Sequence, residues 1–323
     1  MTMNSSGPIS LGGTTAGQSI EIENGGPGTA QISLNDTAVR TLAGVPSGAI
    51  IMPTNFYGKS NTVTLNLTIS SNTYNYDVYA NASASPSYVA GKTNVTVTIS
   101  PGIYVGSTST GTYALSVPSS FSPTDNVTIV NNGSILGMGG KGGTGANSVE
   151  PSMGGPAGPN GPGGTGGNAI YVNRPTTITN NGSVYSGGGG GGGGSSWSSS
   201  TPKGATSTYA GGGGGGGAGS NGGTPGSGGT GIGGTAFNYP GGAGGAGTTS
   251  GGGSGGAPGN NGNFYAGAGG NGGGLGASGS PGGVTTPNSQ SWVPGTGGAT
   301  GNYITGNSFV TWPATGSRGG GVA

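Results

Sequence analysis

A chain of 323 residues with 86 Gly, 21 Pro, no Cys, no His, and only seven basic and six acidic side chains lies far outside ordinary globular composition. Disulfides, Cys/His metal or haem centres and His-based catalysis are excluded, and a net charge of +1 without any Lys/Arg cluster excludes an electrostatic nucleic-acid surface. No apolar run approaches the length of a membrane span, and residues 1–13 have neither a basic start nor an apolar stretch, so neither a span nor a secretory signal is expected.

Residues 1–60 are polar and Gly-punctuated, with a core too small to stand alone. One short helix is predicted over Ser33–Leu42, capped by Asn35 or Asp36. From residue 61 the pattern changes. Val63, Leu65, Leu67 and Ile69, then Val95, Val97 and Ile99, alternate with Thr, Asn and Ser in the period-two manner of half-buried strands. Gly102–Val105, Tyr113–Val117 and Val127–Val130 continue the texture between turn-forming residues, which predicts an antiparallel unit, a small β-sandwich over residues 61–125.

Glycine then takes over: 14 lie in residues 1–125 and 72 in residues 126–323. Thr128-Ile129-Val130-Asn131-Asn132-Gly133-Ser134-Ile135 recurs 49 residues later as Thr177-Ile178-Thr179-Asn180-Asn181-Gly182-Ser183-Val184, and each copy runs into a Gly tract. Asn-Gly after an apolar strand signals a tight turn, and its recurrence marks two equivalent ways into one architecture. The tracts are Gly139–Gly145, Gly187–Gly194, Gly211–Gly217, Gly241–Gly247, Gly251–Gly256 and Gly267–Gly276.

Ordering a glycine costs about 1–2 kcal/mol of backbone entropy with no side chain to bury in return, so a flexible linker is one reading of residues 126–323. Polyproline II helices packed side by side are the other. They have three residues per turn and no internal hydrogen bonds, so their amides and carbonyls are free to bond neighbours where no Cβ intervenes. Gly155, Gly158, Gly161, Gly164 and Gly167, and Gly222, Gly228, Gly231 and Gly234, keep that three-residue phase, and packed helices are expected over residues 139–283. The unbroken runs depart from the Gly-X-Y repeat of collagen. The fold class expected is therefore mostly β and irregular with almost no α-helix: a β-rich N-terminal module, a small β-sandwich, and a glycine-rich polyproline II bundle or sandwich.

Bulky residues fall between the tracts, where a back-and-forth lattice reverses. Ile170–Val172 and Phe309–Val310 read as core strands. Trp197, Lys203, Tyr209, Phe237, Tyr239, Phe264, Tyr265 and Trp292 are the candidate binding residues, in loops Ser195–Thr208, Phe237–Pro240, Asn260–Tyr265 and Thr285–Pro294. Flat amphipathic rings give large contact area at small entropic cost, so Trp197, in a long polar loop, is expected to stack or pack, and Lys203 to meet phosphate or carboxylate. Catalysis is not expected. Gly140–Ala146 has the glycines of a phosphate-binding loop, but Ala146 and Asn147 replace its Lys and hydroxyl residue. After residue 125 the one acid is Glu150, which leaves no carboxylate pair for glycan hydrolysis. Cofactor and metal sites are likewise not expected.

The opening Ser6-Gly7-Pro8-Ile9-Ser10-Leu11-Gly12-Gly13, with Ile32–Arg40, Ser47–Ile50 and Phe56–Ser60, resembles an N-terminal module of tailed-bacteriophage virion proteins. The Asn-Asn-Gly-Ser strands that lead into Gly tracts, and the ending Gly301–Trp312, resemble the glycine-rich C-terminal domains of phage tail fibre and tail-tip proteins. In texture the same part is similar to the distal adhesins of T-even-like long tail fibres, in which a sandwich of polyproline II helices displays variable receptor-binding loops. The resemblance implies a receptor-binding tail protein with residues 1–60 as the virion anchor, 61–125 as the sandwich and 126–323 as the adhesin domain. It implies other tail, baseplate or fibre proteins as partners of residues 1–60, and a polysaccharide or outer-membrane protein as host receptor. A homotrimer is a candidate assembly, the site of synthesis is the host cytoplasm, and the alternative is a structural tail or capsid-decoration protein.

Overall fold

The computed structural model describes residues 2–149, 160–200, 206–232, 237–262, 266–284 and 293–323. The chain forms two compact units, one of Met1–Leu65, Ala82–Val95 and Phe121–Asn126, the other of Asn66–Asn81, Thr96–Ser120 and Val127–Ala323. They interleave in sequence and do not follow the three consecutive segments that composition suggests.

Residues 1–60 are helical and irregular where a β-rich module was expected. They hold α1 (Ile20–Glu23), α2 (Thr37–Ala43) and a 3-10 turn (Thr54–Phe56), with two isolated bridges as their β content. α2 starts later than Ser33 because Asp36 Oδ2 accepts from Ser33 N (2.7 Å) and Ser33 Oγ from Asn35 N (3.1 Å), a local turn that competes with helix and leaves Asp36 as N-cap. Gly44, at φ 71, ends it in the left-handed conformation. Met3, Ile20, Val39, Leu42, Ala43 and Phe56 form a small core drawn entirely from this segment.

From residue 63 the strands stack as a parallel β-helix of five coils, each with one strand in each of three sheets. Coil one is β1 (Val63–Ile69), β2 (Thr73–Tyr74) and β3 (Tyr76–Asp77), followed by the short helix α3 (Val78–Ser83). Coil two is β4 (Thr93–Ile99), β5 (Tyr104–Gly106) and β6 (Leu115–Val117). In coil three, β7 (Asn126–Asn131) and β8 (Ser134–Leu136) are separated from β10 (Ile170–Val172) by a Gly-rich excursion that includes β9 (Ser148–Val149). In coil four, β11 (Thr176–Asn180) and β12 (Ser183–Tyr185) are separated from β17 (Asn302–Thr305) by a longer one, with β13 (Trp197–Ser200), β14 (Thr206–Tyr209), β15 (Gly231–Ile232) and β16 (Phe237–Tyr239) along it. β18 (Val310–Ala314), β19 (Ser317–Gly319) and β20 (Gly321–Val322) close coil five.

The antiparallel sandwich expected over 61–125 is thus replaced by the first two coils of this helix, with β2, β5 and β8 parallel in one sheet and β3, β6 and β10 in another. Period two requires one buried face per strand and carries no information on the direction of the neighbour. Inward residues stack coil on coil: Leu115, Ile170 and Ile304 in one column, Ile129 on Ile178, Ile135 on Val184, all fully buried. The 49-residue echo is this stacking, Thr177 beside Thr128 and Ser183 beside Ser134. Its Asn-Asn-Gly is a coil corner rather than a hairpin. Buried Asn131 Nδ2 donates to Asn180 Oδ1 (2.8 Å), Asn180 Nδ2 to Thr315 O (2.7 Å), and Gly133 N to Asn131 Oδ1 (3.1 Å), so the corner amides are paired up the stack.

Among the described residues the excursions form ten extended segments with lateral backbone hydrogen bonds repeating every third residue, the signature of packed polyproline II helices. They are L1 (137–147), L2 (160–168), L3 (186–195), L4 (210–220), L5 (222–230), L6 (240–248), L7 (251–259), L8 (266–274), L9 (277–284) and L10 (293–301). The lattice therefore extends beyond residue 283, and the chain returns to the β-helix between L2 and L3. Gly155, Gly158 and Gly234 of the expected phase lie outside the described residues.

L3 shows how the lattice closes. Gly187, Gly190 and Gly193 donate to Gly167, Gly164 and Gly161 of L2; Gly188, Gly191 and Gly194 to Ala218, Gly215 and Gly212 of L4; Gly189, Gly192 and Ser195 to Ala277, Ser280 and Gly283 of L9, at 2.7–3.2 Å. Its carbonyls accept from L1, L8 and L10 in the same rhythm. Six neighbours surround it, and no face admits a side chain. L4 has the same status, donating to L1, L6 and L8 and accepting from L3, L5 and L7. These two central helices carry the unbroken glycine runs 187–194 and 211–217, whereas peripheral L1 keeps Met138, Lys141 and Thr144 at every third position for its outer face.

A methyl on Gly191 would overlap the Gly270 carbonyl, whereas one on Gly274 would meet nothing within 4 Å. Gly191→Ala should lower unfolding free energy by about 3 kcal/mol and Gly274→Ala by less than about 0.5 kcal/mol, as read by chemical denaturation. Equal stability of the two variants contradicts the surrounded-helix account.

Candidate binding site at the distal end of the lattice

Neighbouring lattice helices alternate in direction as the chain advances through them, which sorts the connections by end. L4–L5, L6–L7 and L8–L9 turn within a few residues at the end next to the β-helix. The described ends of L1–L2, L3–L4, L5–L6, L7–L8 and L9–L10 all lie at the opposite, distal end, and more residues of sequence separate them. The described residues of the four loops singled out from sequence thereby fall at one end of the lattice.

Within them, β13 pairs antiparallel with β14, and β14 parallel with β16, placing Trp197 opposite Tyr209 and Tyr209 beside Tyr239. The three rings form one stack: Trp197 to Tyr209 at 5.1 Å and 32°, Tyr209 to Tyr239 at 4.8 Å and 6°. Phe237 adjoins Tyr239 at 6.1 Å. Polar contacts tie further loops to the stack. Asn261 Nδ2 donates to the Tyr209 hydroxyl (2.8 Å), Ser148 Oγ to Trp197 O (2.6 Å), and Ala266 packs against the rings. Burial pushes the Tyr209 phenol above its usual pKa, opposed by hydrogen bonds from Ser207, Ser199 and Asn261.

Trp197 is not a loop residue presented to solvent. It begins a strand, is 9% exposed, and with Tyr209, at 1%, forms the floor of the distal sheet. A polar surrounding sequence suggests exposure, but an indole beside two tyrosines in register gains more from stacking on them. Tyr239 is half-buried, and Phe237, 64% exposed, is the ring that reaches the surface. Lys203, Phe264, Tyr265 and Trp292 lie outside the described residues. Sequence reasoning passed over Ile232 and Val284, which are 47 and 56% exposed at the same end of the lattice, where Val293, inside the expected loop Thr285–Pro294, is 77% exposed. Ile232 and Val284 each stand alone between Gly or Thr neighbours, with no alternation to bury them, whereas Val293 lies between Trp292 and Pro294. With Phe237 they make four exposed apolar side chains at one end of a lattice built otherwise of backbone. Exposed apolar groups gathered in one region are the usual mark of a surface made to be covered.

A family model, that of the phage tail fibre adhesin Gp38, matches residues 63–323, from the first strand of the β-helix onward. The chain belongs to this family. It is a receptor-binding protein of the virion tail that attaches the particle to its bacterial host. No curated protein matches the chain. Among solved structures it is similar to the gp37–gp38 adhesin tip complex of the bacteriophage S16 long tail fibre, at 20% identity and a TM-score of 0.47, over 97% of this chain and 100% of that one.

Trp197→Ala should open a gap beneath the distal sheet and destabilise it by about 3 kcal/mol, while Phe237→Ala stays within about 0.5 kcal/mol of wild type. Hydrogen exchange at the Thr208 and Tyr209 amides reads the difference; unchanged protection in Trp197→Ala would show that the stack is not structural.

Proposed function

We propose that the adhesin engages its receptor through the distal connections of the lattice, with Phe237, Ile232, Val284 and Val293 as the described contact residues and Trp197, Tyr209 and Tyr239 holding them from below. The observation that carries this reading is the sorting of connections: long, apolar-tipped loops at one end and tight turns at the other. Lattice helices offer backbone already spent on one another, so selectivity falls to the side chains at this end. Lys203, Phe264, Tyr265 and Trp292 belong to the same connections by sequence and complete the proposed surface. The receptor is a polysaccharide or an outer-membrane protein of the host, binding proceeds without catalysis, and synthesis takes place in the host cytoplasm before assembly.

Residues 1–60 we assign to attachment onto other tail fibre proteins. They lie outside the family match and own a hydrophobic core that no later described residue enters, which supports a module added to the adhesin for a separate contact.

Ile232→Ser, Phe237→Ala and Val293→Ser together should slow adsorption to host cells by about thirtyfold or more, the loss expected of a hot-spot cluster, with the melting temperature and virion incorporation unchanged. Wild-type adsorption by that variant would remove the distal end as the receptor site and favour a structural tail role. Particles assembled with a chain lacking residues 1–60 should carry no adhesin; normal incorporation would place the anchor elsewhere.

A further inference from the structure

A cleft of about 450 Å³ opens on the flank of the larger unit, at the β-helix end of the lattice. Its floor is the outer face of L1, where Met138 and Lys141 project between two neighbouring helices. L2 and L5 are the walls. They are fixed to L1 by Gly164 N to Lys141 O (2.7 Å) and Gly142 N to Thr224 O (2.8 Å), and they contribute Thr165, Asn168 and Thr224. The loop between β5 and β6 closes one end with Thr108, Ser109 and Thr110, and is itself pinned by Asn75 Nδ2 donating to Thr108 Oγ1 (2.6 Å) and by Ser107 N donating to Ser220 Oγ (2.9 Å). The walls of the cleft are therefore fixed by backbone pairing, and its closed end by the Asn75 and Ser220 side chains.

Its free chemistry is specific. The Lys141 side chain is exposed and makes no ion pair or hydrogen bond with the described residues, and Asp77 is the one described acid in the larger unit. The hydroxyls of Thr110, Thr165 and Thr224 have no partner among the described residues, and Asn168, whose Oδ1 accepts from Asn302 N (2.8 Å), keeps its amide hydrogens to donate. One ammonium, several hydroxyls and an amide thus converge in an open furrow beside an apolar thioether. That set suits a ring carrying many hydroxyls, one apolar C–H face and one negative group. It lacks both the enclosed apolar volume a lipid chain needs and the aromatic face a nucleobase needs.

We propose that this cleft binds an acidic saccharide unit, carboxylate- or phosphate-bearing, with Lys141 meeting the anionic group and the threonines and Asn168 meeting the sugar hydroxyls. Lys141 lies seven positions before Ser148, roughly 20 Å from the distal loops at about 3.1 Å per polyproline II residue, so the cleft is a second contact separate from the distal surface. Weak binding here adds to distal attachment through effective concentration on a densely glycosylated envelope.

Ligand-observed NMR titration of the full chain with glucuronic acid, glucose 6-phosphate, glucose and inorganic phosphate tests the assignment. Both acidic sugars should bind with millimolar dissociation constants, glucose about tenfold more weakly, and inorganic phosphate more weakly than glucose 6-phosphate. Lys141→Ala should reduce binding of the acidic sugars about tenfold without moving the melting temperature, Lys141→Arg should restore most of it, and Phe237→Ala should leave it unchanged. Absence of binding by both acidic sugars, equal binding by wild type and Lys141→Ala, or inorganic phosphate binding as tightly as glucose 6-phosphate would each overturn the proposal.

Discussion

The lattice rests on one contact, a backbone N–H of one extended helix donating to the backbone carbonyl of the next at a separation that leaves no room for Cβ. That contact does for this chain what side-chain burial does in an ordinary core. It satisfies amides and carbonyls that a polyproline II helix cannot pair internally, and it does so with backbone atoms that every residue but proline carries. The constraint on sequence follows directly: a helix face in contact must be glycine or nearly so, and a helix touched on every face must be glycine throughout. L3 and L4, each with six neighbours, meet that requirement with unbroken runs, whereas the outer helices relax it at one or two positions in three. The length of a glycine run thus reports how deeply its helix sits.

Division of labour in the molecule follows from the same contact. Backbone paired to backbone has little left with which to distinguish one ligand from another. Discrimination must come from side chains, which the lattice admits at its ends and on its outer faces. The distal end and the furrow over L1 are two such places, and they hold the exposed Phe237, Ile232 and Val293 and a Lys141 side chain unpaired among the described residues. The β-helix supplies the fixed base from which both excursions leave and to which both return.

Much of this was legible in the sequence and some was not, for identifiable reasons. The change of texture near residue 61, the strand periodicity, the echo of Thr128–Ile135 in Thr177–Val184 and the three-residue glycine phase all correspond to observed features. Strand direction did not follow, because alternation at Val95, Val97 and Ile99 is the same whether a neighbouring strand runs up or down. Nor did the interruption of the lattice by β10, β11 and β12, since Ile170–Val172 reads as a strand without declaring that it rejoins a stack begun at residue 63. Trp197 was misplaced because a serine-rich neighbourhood suggests solvent, whereas its register with Tyr209 and Tyr239 buries it. Ile232 and Val284 escaped because single aliphatic residues carry no periodic signal.

Amide hydrogen–deuterium exchange on the free adhesin, resolved by peptide, tests the central claim most directly. If six-neighbour helices order the lattice, peptides covering 187–194 and 211–217 exchange most slowly of all the glycine tracts, with those covering peripheral L7 and L9 faster. Exchange of 187–194 and 211–217 at the rate of an unstructured chain, or no slower than the peripheral helices, would contradict it.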